Sequence, residues 1–189
     1  MTTTVYLIGV PGAGKSTALA GAVENLGWDT PGLRTQPFAY SWYEKPQVAL
    51  LGKQRSKFPG TDTLSLGVNP KAIKFVQSTK ARLVLGEGDR LANKKFLIAA
   101  AEVGQTVLVT IDLPAITAYQ RMLDRADELG ISPQQESWWN GRATKTHNLR
   151  QLKLSGLRHE TVDGAQTEEI IAEQLAEIID YATPITTRK

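Results

Sequence analysis

Nine residues near the start of the chain constrain its fold more than any other stretch. They read GVPGAGKST, Gly9 to Thr17, and fit G-x-x-x-x-G-K-[ST] with Gly9, Gly14, Lys15 and Ser16 in the fixed places. The motif means most between a strand and a helix, and both flanks comply. VYLIGV is an apolar run that reads as a buried strand, Thr4 to Ile8. TALAGAVENLG reads as the body of a helix from Lys15 to Leu26, stopped by Gly27. Glycines let successive backbone N–H groups turn inward around an anion. The first helical turn adds free donors and the positive end of its dipole. Lys15 can then reach the β- and γ-phosphates of a nucleoside triphosphate, and the Ser16 hydroxyl can bind Mg²⁺. Gly9, Pro11, Gly12, Ala13, Gly14, Lys15, Ser16 and Thr17 are therefore the expected nucleotide contacts. These residues leave ATP and GTP both open.

The rest of the chain alternates strand-like and helix-like runs. After a polar loop over Trp28 to Arg34, PFAYSWY and QVALLG suggest two short strands around a turn. Pro59 and Gly60 mark a loop, and Asn69-Pro70 read as an N-cap and first helical residue. The strand RLVLG runs into EGDRLANKKFLIAAAEVG, a helix that Asp89 is expected to cap. QTVLVTIDL predicts a strand ending at Asp112, and a helix from Pro114 to Gly130 follows. Residues 131–156 are polar, basic and rich in turn residues; their middle reads as a loop and their end as a short helix. LRHETVDG reads as the last strand. Ile170, Ile171, Leu175, Ile178 and Ile179 then form the apolar stripe of a closing helix. The tail PITTRK reads as frayed.

This order predicts an α/β fold of three layers, with helices on both faces of a mainly parallel, five-stranded sheet. The 189 residues fit a single domain, 1–189, with 131–148 as a small lid segment within it. With no cysteine, neither disulfides nor thiolate metal sites are available. No apolar run reaches the length of a membrane span, and MTTTVYLIGV lacks the features of a signal peptide. A cytoplasmic location is expected, with no membrane and no obligate protein partner. The net charge of +3 permits a nucleic-acid partner without requiring one.

The motifs together resemble the small P-loop kinases that include nucleotide and polynucleotide kinases and related phage enzymes. The phosphate loop carries the sharpest match. GEGDR, Gly86 to Arg90, is similar to the acidic, Arg-containing element that such kinases carry after the third core strand. Arg121 and Arg125 followed by a basic segment resemble their lid. FPGTDTLSLGVNPKAI, EGDRLAN and SWWNGRATKTHNL together resemble phage kinases proposed to phosphorylate hydroxymethyluracil in DNA. The resemblance implies a P-loop NTPase fold of the nucleotide-kinase type, ATP and Mg²⁺ as cofactors, and a nucleotide or DNA acceptor. It also implies the host cytoplasm if the chain is phage-encoded. Asn93-Lys94-Lys95-Phe96 fails the guanine motif of GTPases, and no Leu-Ser-Gly-Gly-Gln signature is present. Asp89-Arg90-Leu91 departs from the Asp-Arg-Tyr or Asp-Arg-His of thymidylate kinases.

Phosphoryl transfer needs Mg²⁺, cations around the moving group and an oriented nucleophile. Glu87 and Asp89 follow the third core strand, where ligands of such sheets bind. One is expected to hold the metal, with Ser16, and one to take the acceptor's proton. Glu87 is the metal candidate. Asp62, in a Pro-Gly-Thr-Asp loop, is another candidate base, set against a turn-forming role. Asp112 reads as structural. Lys15, Arg121, Arg125 and Arg142 are the expected charge-stabilising cations, Arg being suited to phosphate by its planar fork. Trp138 and Trp139 could stack a base or anchor the segment. His147 and His159 lack metal-ligand spacing. Three candidate carboxylates favour a hydroxyl acceptor, such as a 5-hydroxymethyl pyrimidine in DNA, because a hydroxyl benefits from a base. A free nucleoside monophosphate, and an ATPase or switch module without an acceptor, are the alternatives.

Overall fold

A computed structural model describes residues 1–54 and 59–183. The expected tail, PITTRK, lies outside the described residues. In chain order the elements are β1 (Thr3–Ile8), α1 (Lys15–Asn25), β2 (Gly32–Arg34), β3 (Tyr40–Tyr43) and β4 (Val48–Leu51). A 3₁₀ turn at Thr61–Thr63 leads to α2 (Asn69–Ser78), β5 (Leu83–Glu87), α3 (Lys94–Val103) and β6 (Thr106–Asp112). The chain then forms α4 (Ala115–Glu128), α5 (Glu136–Arg150), β7 (Leu157–Asp163) and α6 (Glu168–Ala182).

One sheet runs in the order β2-β3-β4-β5-β1-β6-β7. The five strands from β4 to β7 are parallel to one another, which is the sheet the sequence predicts. β3 and β2 extend it antiparallel to seven strands. β2 is three exposed residues inside the stretch read as a loop, too short to show alternation. β1 is buried at every position because both faces of the sheet are covered. Its side chains alternate between two cores, as strand geometry requires. Val5 and Leu7 pack with Leu19 of α1 and Leu175 and Ile179 of α6. Tyr6 and Ile8 pack with Phe75 of α2 and Phe96 and Leu97 of α3. The result is a three-layer α/β fold.

Two local expectations are corrected. Asp89 does not cap α3; the Asn93 side chain does, accepting the Phe96 N–H at 3.1 Å. Residues 136–150 are a continuous helix, not a loop with a short helix near its end. α2 opens at Asn69, one residue earlier than expected, with Val68 rather than Asn69 at the cap and no side-chain cap bond. No helix among the described residues is long and apolar enough to cross a membrane.

Candidate active site

The parallel strands deliver their carboxyl ends to one rim, and the Gly9–Thr17 loop lies there between β1 and α1. Gly12 has φ +90°, and a Cβ on it would stand 1.9 Å from the Ala118 carbonyl oxygen of α4. Only glycine lets the loop lie that close to a helix backbone. Gly14, at φ 84°, occupies the N-cap of α1. The Lys15 ammonium folds back onto its own loop, donating to the carbonyls of Gly9 (3.0 Å) and Val10 (3.1 Å). Burial lowers its pKa, and the negative field of Glu87 opposes that shift.

Glu87 ends β5, opposite Leu7 in register, so sheet pairing alone sets it beside the loop. It is 3% exposed, and Ser16 Oγ donates to its Oε1 at 3.0 Å. Burial pushes its carboxyl up to about 7, against the pull of Lys15 and the Ser16 hydrogen bond. Gly60 makes room for it: at φ +75°, a Cβ there would fall 1.9 Å from Oε1. One hydroxyl and one carboxylate are hard oxygen donors that suit Mg²⁺, which takes few protein ligands beside phosphate and water. No group of three or more His, Cys, Asp or Glu residues able to hold a metal stands among the described residues.

The three candidate carboxylates separate by their partners. Asp62 Oδ1 accepts the backbone N–H groups of Asp89 (2.9 Å) and Arg90 (3.1 Å). That is the turn-holding role, but it occupies one oxygen, and the residue also lines the adjacent cavity. Asp89 is fully engaged. Its Oδ2 accepts from Arg142, and its Oδ1 from Lys145 at 2.8 Å. Lys145 also donates to the Asp89 carbonyl at 2.9 Å. Arg142 and Lys145, three apart on α5, thus fasten that helix over the 87–90 turn.

Behind the turn, the wholly buried Tyr6 donates to the Gly88 carbonyl at 2.8 Å. The Thr61 hydroxyl lies 3.0 Å from Tyr6 Oη and 2.8 Å from the Glu87 carbonyl. These bonds tie the loop carrying Asp62 to the strand end carrying Glu87. A Cβ on Gly86 would strike the Tyr6 ring at 2.6 Å, which accounts for that glycine of GEGDR.

α5 has a second anchor on the phosphate loop. Trp139, 6% exposed, donates its indole N–H to the Pro11 carbonyl at 3.1 Å and packs edge-on against Tyr119. Trp138 instead lines the cavity, with the Arg142 guanidinium 5.2 Å above its ring. Arg150 pairs with Asp112 at 2.8 Å.

Two cavities flank the phosphate loop. One, of about 450 Å³, is bounded by Asp62, Glu87, Asp89, Arg90, Trp138 and Arg142. The other, of about 350 Å³, is bounded by Ala13 to Ala18, Arg121, Gln166 and Glu168. Gly12, Lys15, Ser16 and Arg125 border both. Sequence reasoning alone does not single out Arg90, Tyr6, Gln166 or Glu168. Arg90 keeps a buried Nε with no hydrogen-bond partner among the described residues. Gln166 and Glu168 follow β7, and their placement at a strand's carboxyl end was the available signal.

The family model described as P-loop Nucleotide Kinase3 matches residues 1–163. No curated protein matches. Among solved structures, the chain is similar to a deoxyadenosine kinase from M. mycoides with bound dATP. That match has 13% identity and a TM-score of 0.53, covering 94% of this chain and 99% of that one. It is also similar to a sugar kinase from a Janibacter species, at 15% identity, TM-score 0.55 and full coverage of both chains. A gluconokinase from Sinorhizobium meliloti matches at 16% identity and TM-score 0.53, covering 96% and 93%. At these identities the likeness is one of fold.

Proposed function

This chain belongs to the P-loop nucleotide kinase family, and on that premise we propose that it transfers the γ-phosphate of ATP to a hydroxyl of a nucleotide unit. The acceptor in this reading is a 5-hydroxymethyl pyrimidine in DNA, in keeping with the resemblance carried by the stretch around Asp62. The smaller cavity takes the nucleoside of ATP, and the larger takes the acceptor. Their common border at Lys15, Ser16 and Arg125 is where the phosphoryl group crosses. Ser16 and Glu87 would hold Mg²⁺, which neutralises charge on the β- and γ-phosphates.

The observation that carries a hydroxyl acceptor is Asp62. One of its oxygens holds the 89–90 turn, and the other remains to receive a proton beside the phosphate loop. The acceptor oxygen gives its proton to Asp62 and bonds to the γ-phosphorus. The bond from that phosphorus to the bridging oxygen breaks, and ADP leaves. Asp89 serves to fasten α5, since two cations already occupy its carboxylate.

A second reading, transfer to the phosphate of a free mononucleotide, is favoured by Arg90, whose buried Nε lacks a partner among the described residues. The experiment is γ-labelled ATP with nucleosides, mononucleotides, plain DNA and hydroxymethylated DNA. Label is expected on hydroxymethylated DNA. Label confined to mononucleotides would establish the second reading, and hydrolysis with no labelled acceptor would leave an ATPase or switch. Asp62→Asn retains the Oδ1 contacts, so it should fold, bind ATP normally and lose about 10²- to 10⁴-fold in kcat. Unchanged kcat would remove Asp62 as the base.

A further inference from the structure

The cations of α5 that stand near strand ends, Arg142, Lys145 and Arg150, are all paired within the protein, to Asp89 and Asp112. Other lysines are not. Lys71 and Lys74 stand exposed on α2, and Lys94 and Lys95 stand exposed at the start of α3. None of the four makes an ion pair among the described residues. The two helices begin side by side, because Asn93 Nδ2 donates to Asn69 Oδ1 at 3.0 Å. Their start adjoins the larger cavity: Ala92, which lines it, is two residues before Lys94. From Asn69 to Val103 the only acids are Glu87, Asp89 and Glu102. The first is buried, the second is neutralised by α5, and the third sits near the far end of α3. Leu66, in the loop between Asp62 and α2, is 85% exposed. Four lysines without an ion pair among the described residues, and an apolar tip, on the segments that follow the cavity-lining Asp62 and Ala92, form a surface of the kind that meets phosphates and packs against bases.

We propose that this α2–α3 rim is the surface that carries a DNA chain on either side of the acceptor nucleotide. The inference rests on the DNA-acceptor reading above, and it assigns the contact to the starts of α2 and α3 rather than to α5, whose cations are already paired. Lys71, Lys74, Lys94 and Lys95 would replace the counterions of the DNA phosphates, releasing those ions to solution, while Leu66 packs against the nucleotide next to the acceptor.

The test is binding of a short fluorescent duplex containing hydroxymethyluracil, measured at several salt concentrations. Each phosphate contact contributes about 0.9 to the logarithmic salt slope, so four contacts weaken binding on the order of 100-fold between about 50 and 200 mM salt. The combined change of Lys71, Lys74, Lys94 and Lys95 to Ala should remove most of that slope. ATP binding should stay as in the wild type. Lys71→Ala with Lys74→Ala, and Lys94→Ala with Lys95→Ala, should each remove about half of it. Leu66→Ala should weaken binding at an unchanged slope. A control lacking Lys80 and Lys153, which lead into the amino ends of β5 and β7, should match the wild type. A fourfold variant with the wild-type slope overturns the inference, and the DNA-acceptor reading survives that result if the wild type still labels DNA. A wild type with a flat slope overturns it too, and label found only on free nucleotides would then remove the DNA reading as well.

Discussion

A carboxylate sealed from water must find cations or keep its proton, and Glu87 does some of each. Burial drives its pKa to about 7 from the usual 4.5, although Lys15 and Ser16 both pull it down. Between those two values the folded chain holds a proton that the unfolded chain has released. Stability from this group is therefore full below about 4.5 and lost as pH rises through about 7. The gap corresponds to about 3 kcal/mol, or a melting shift of roughly 6 to 12 °C for a chain of this size. Without nucleotide or Mg²⁺, the wild type should melt lower at about pH 8 than at about pH 5.5, and Glu87→Gln should lose most of that difference. An equal pH trend in both proteins would assign it to other groups. Glu87 was legible in the sequence because it ends a strand beside a fixed motif. Lys15 and Ser16 were legible from spacing alone. Tyr6 was not: a tyrosine in an apolar run reads as core, and only the fold brings its hydroxyl to Gly88 and Thr61. Arg90 was hidden for the same reason, since the lack of a partner for its buried Nε is a fact of three dimensions.

At the scale of elements, the buried strands β1, β5 and β6 and helix α6 could be read from the sequence because packing dictates them. A buried parallel strand must be apolar throughout, and Ile171, Leu175 and Ile179 make a stripe facing one core. α5 could not be read in this way. Only Trp139 and Leu149 are buried along its length, and Gly141 within it lowers its helical propensity. Its position depends on polar contacts with distant parts of the chain: the Trp139 indole on Pro11, and Arg142 and Lys145 on Asp89. The same contacts explain why Asp89 is not the cap of α3. Its carboxylate is drawn to α5, and Asn93, three residues before Phe96, is better placed to accept that N–H. The latch should be modest in strength, because its charges are about one-third exposed, and pairs of that kind contribute about 1 kcal/mol. Asp89→Asn should therefore speed amide hydrogen exchange in α5 by about fivefold while leaving α6 unchanged. If α5 exchanges at the wild-type rate in that variant, Trp139 and the Arg150–Asp112 pair hold the helix and the Asp89 ion pairs add nothing.

For the whole molecule, the arrangement that matters is that two cavities on opposite sides of one loop share a narrow border. Arg121 and Arg125 are one turn apart on α4, and both were expected from the sequence to have the same role. The structure separates them. Arg121 borders only the smaller cavity, whereas Arg125 borders both. A cation within a single binding cavity attracts its ligand about equally before and during reaction, so its loss weakens binding more than turnover. A cation at the crossing point faces charge that spreads over the moving phosphoryl oxygens, so its loss falls mainly on turnover. Arg121→Ala should thus raise the dissociation constant for ATP, leaving kcat at saturating ATP within about threefold of the wild type. Arg125→Ala should lower kcat by about 10²- to 10³-fold, with a smaller change in ATP affinity. Arg125→Lys should recover only part of that loss, since an ammonium cannot span two phosphate oxygens as the planar guanidinium does. Equilibrium ATP binding measured beside steady-state turnover separates the two effects. If both variants lose affinity alone, the phosphoryl group does not cross at Arg125, and the division of the two cavities between donor and acceptor would have to be redrawn.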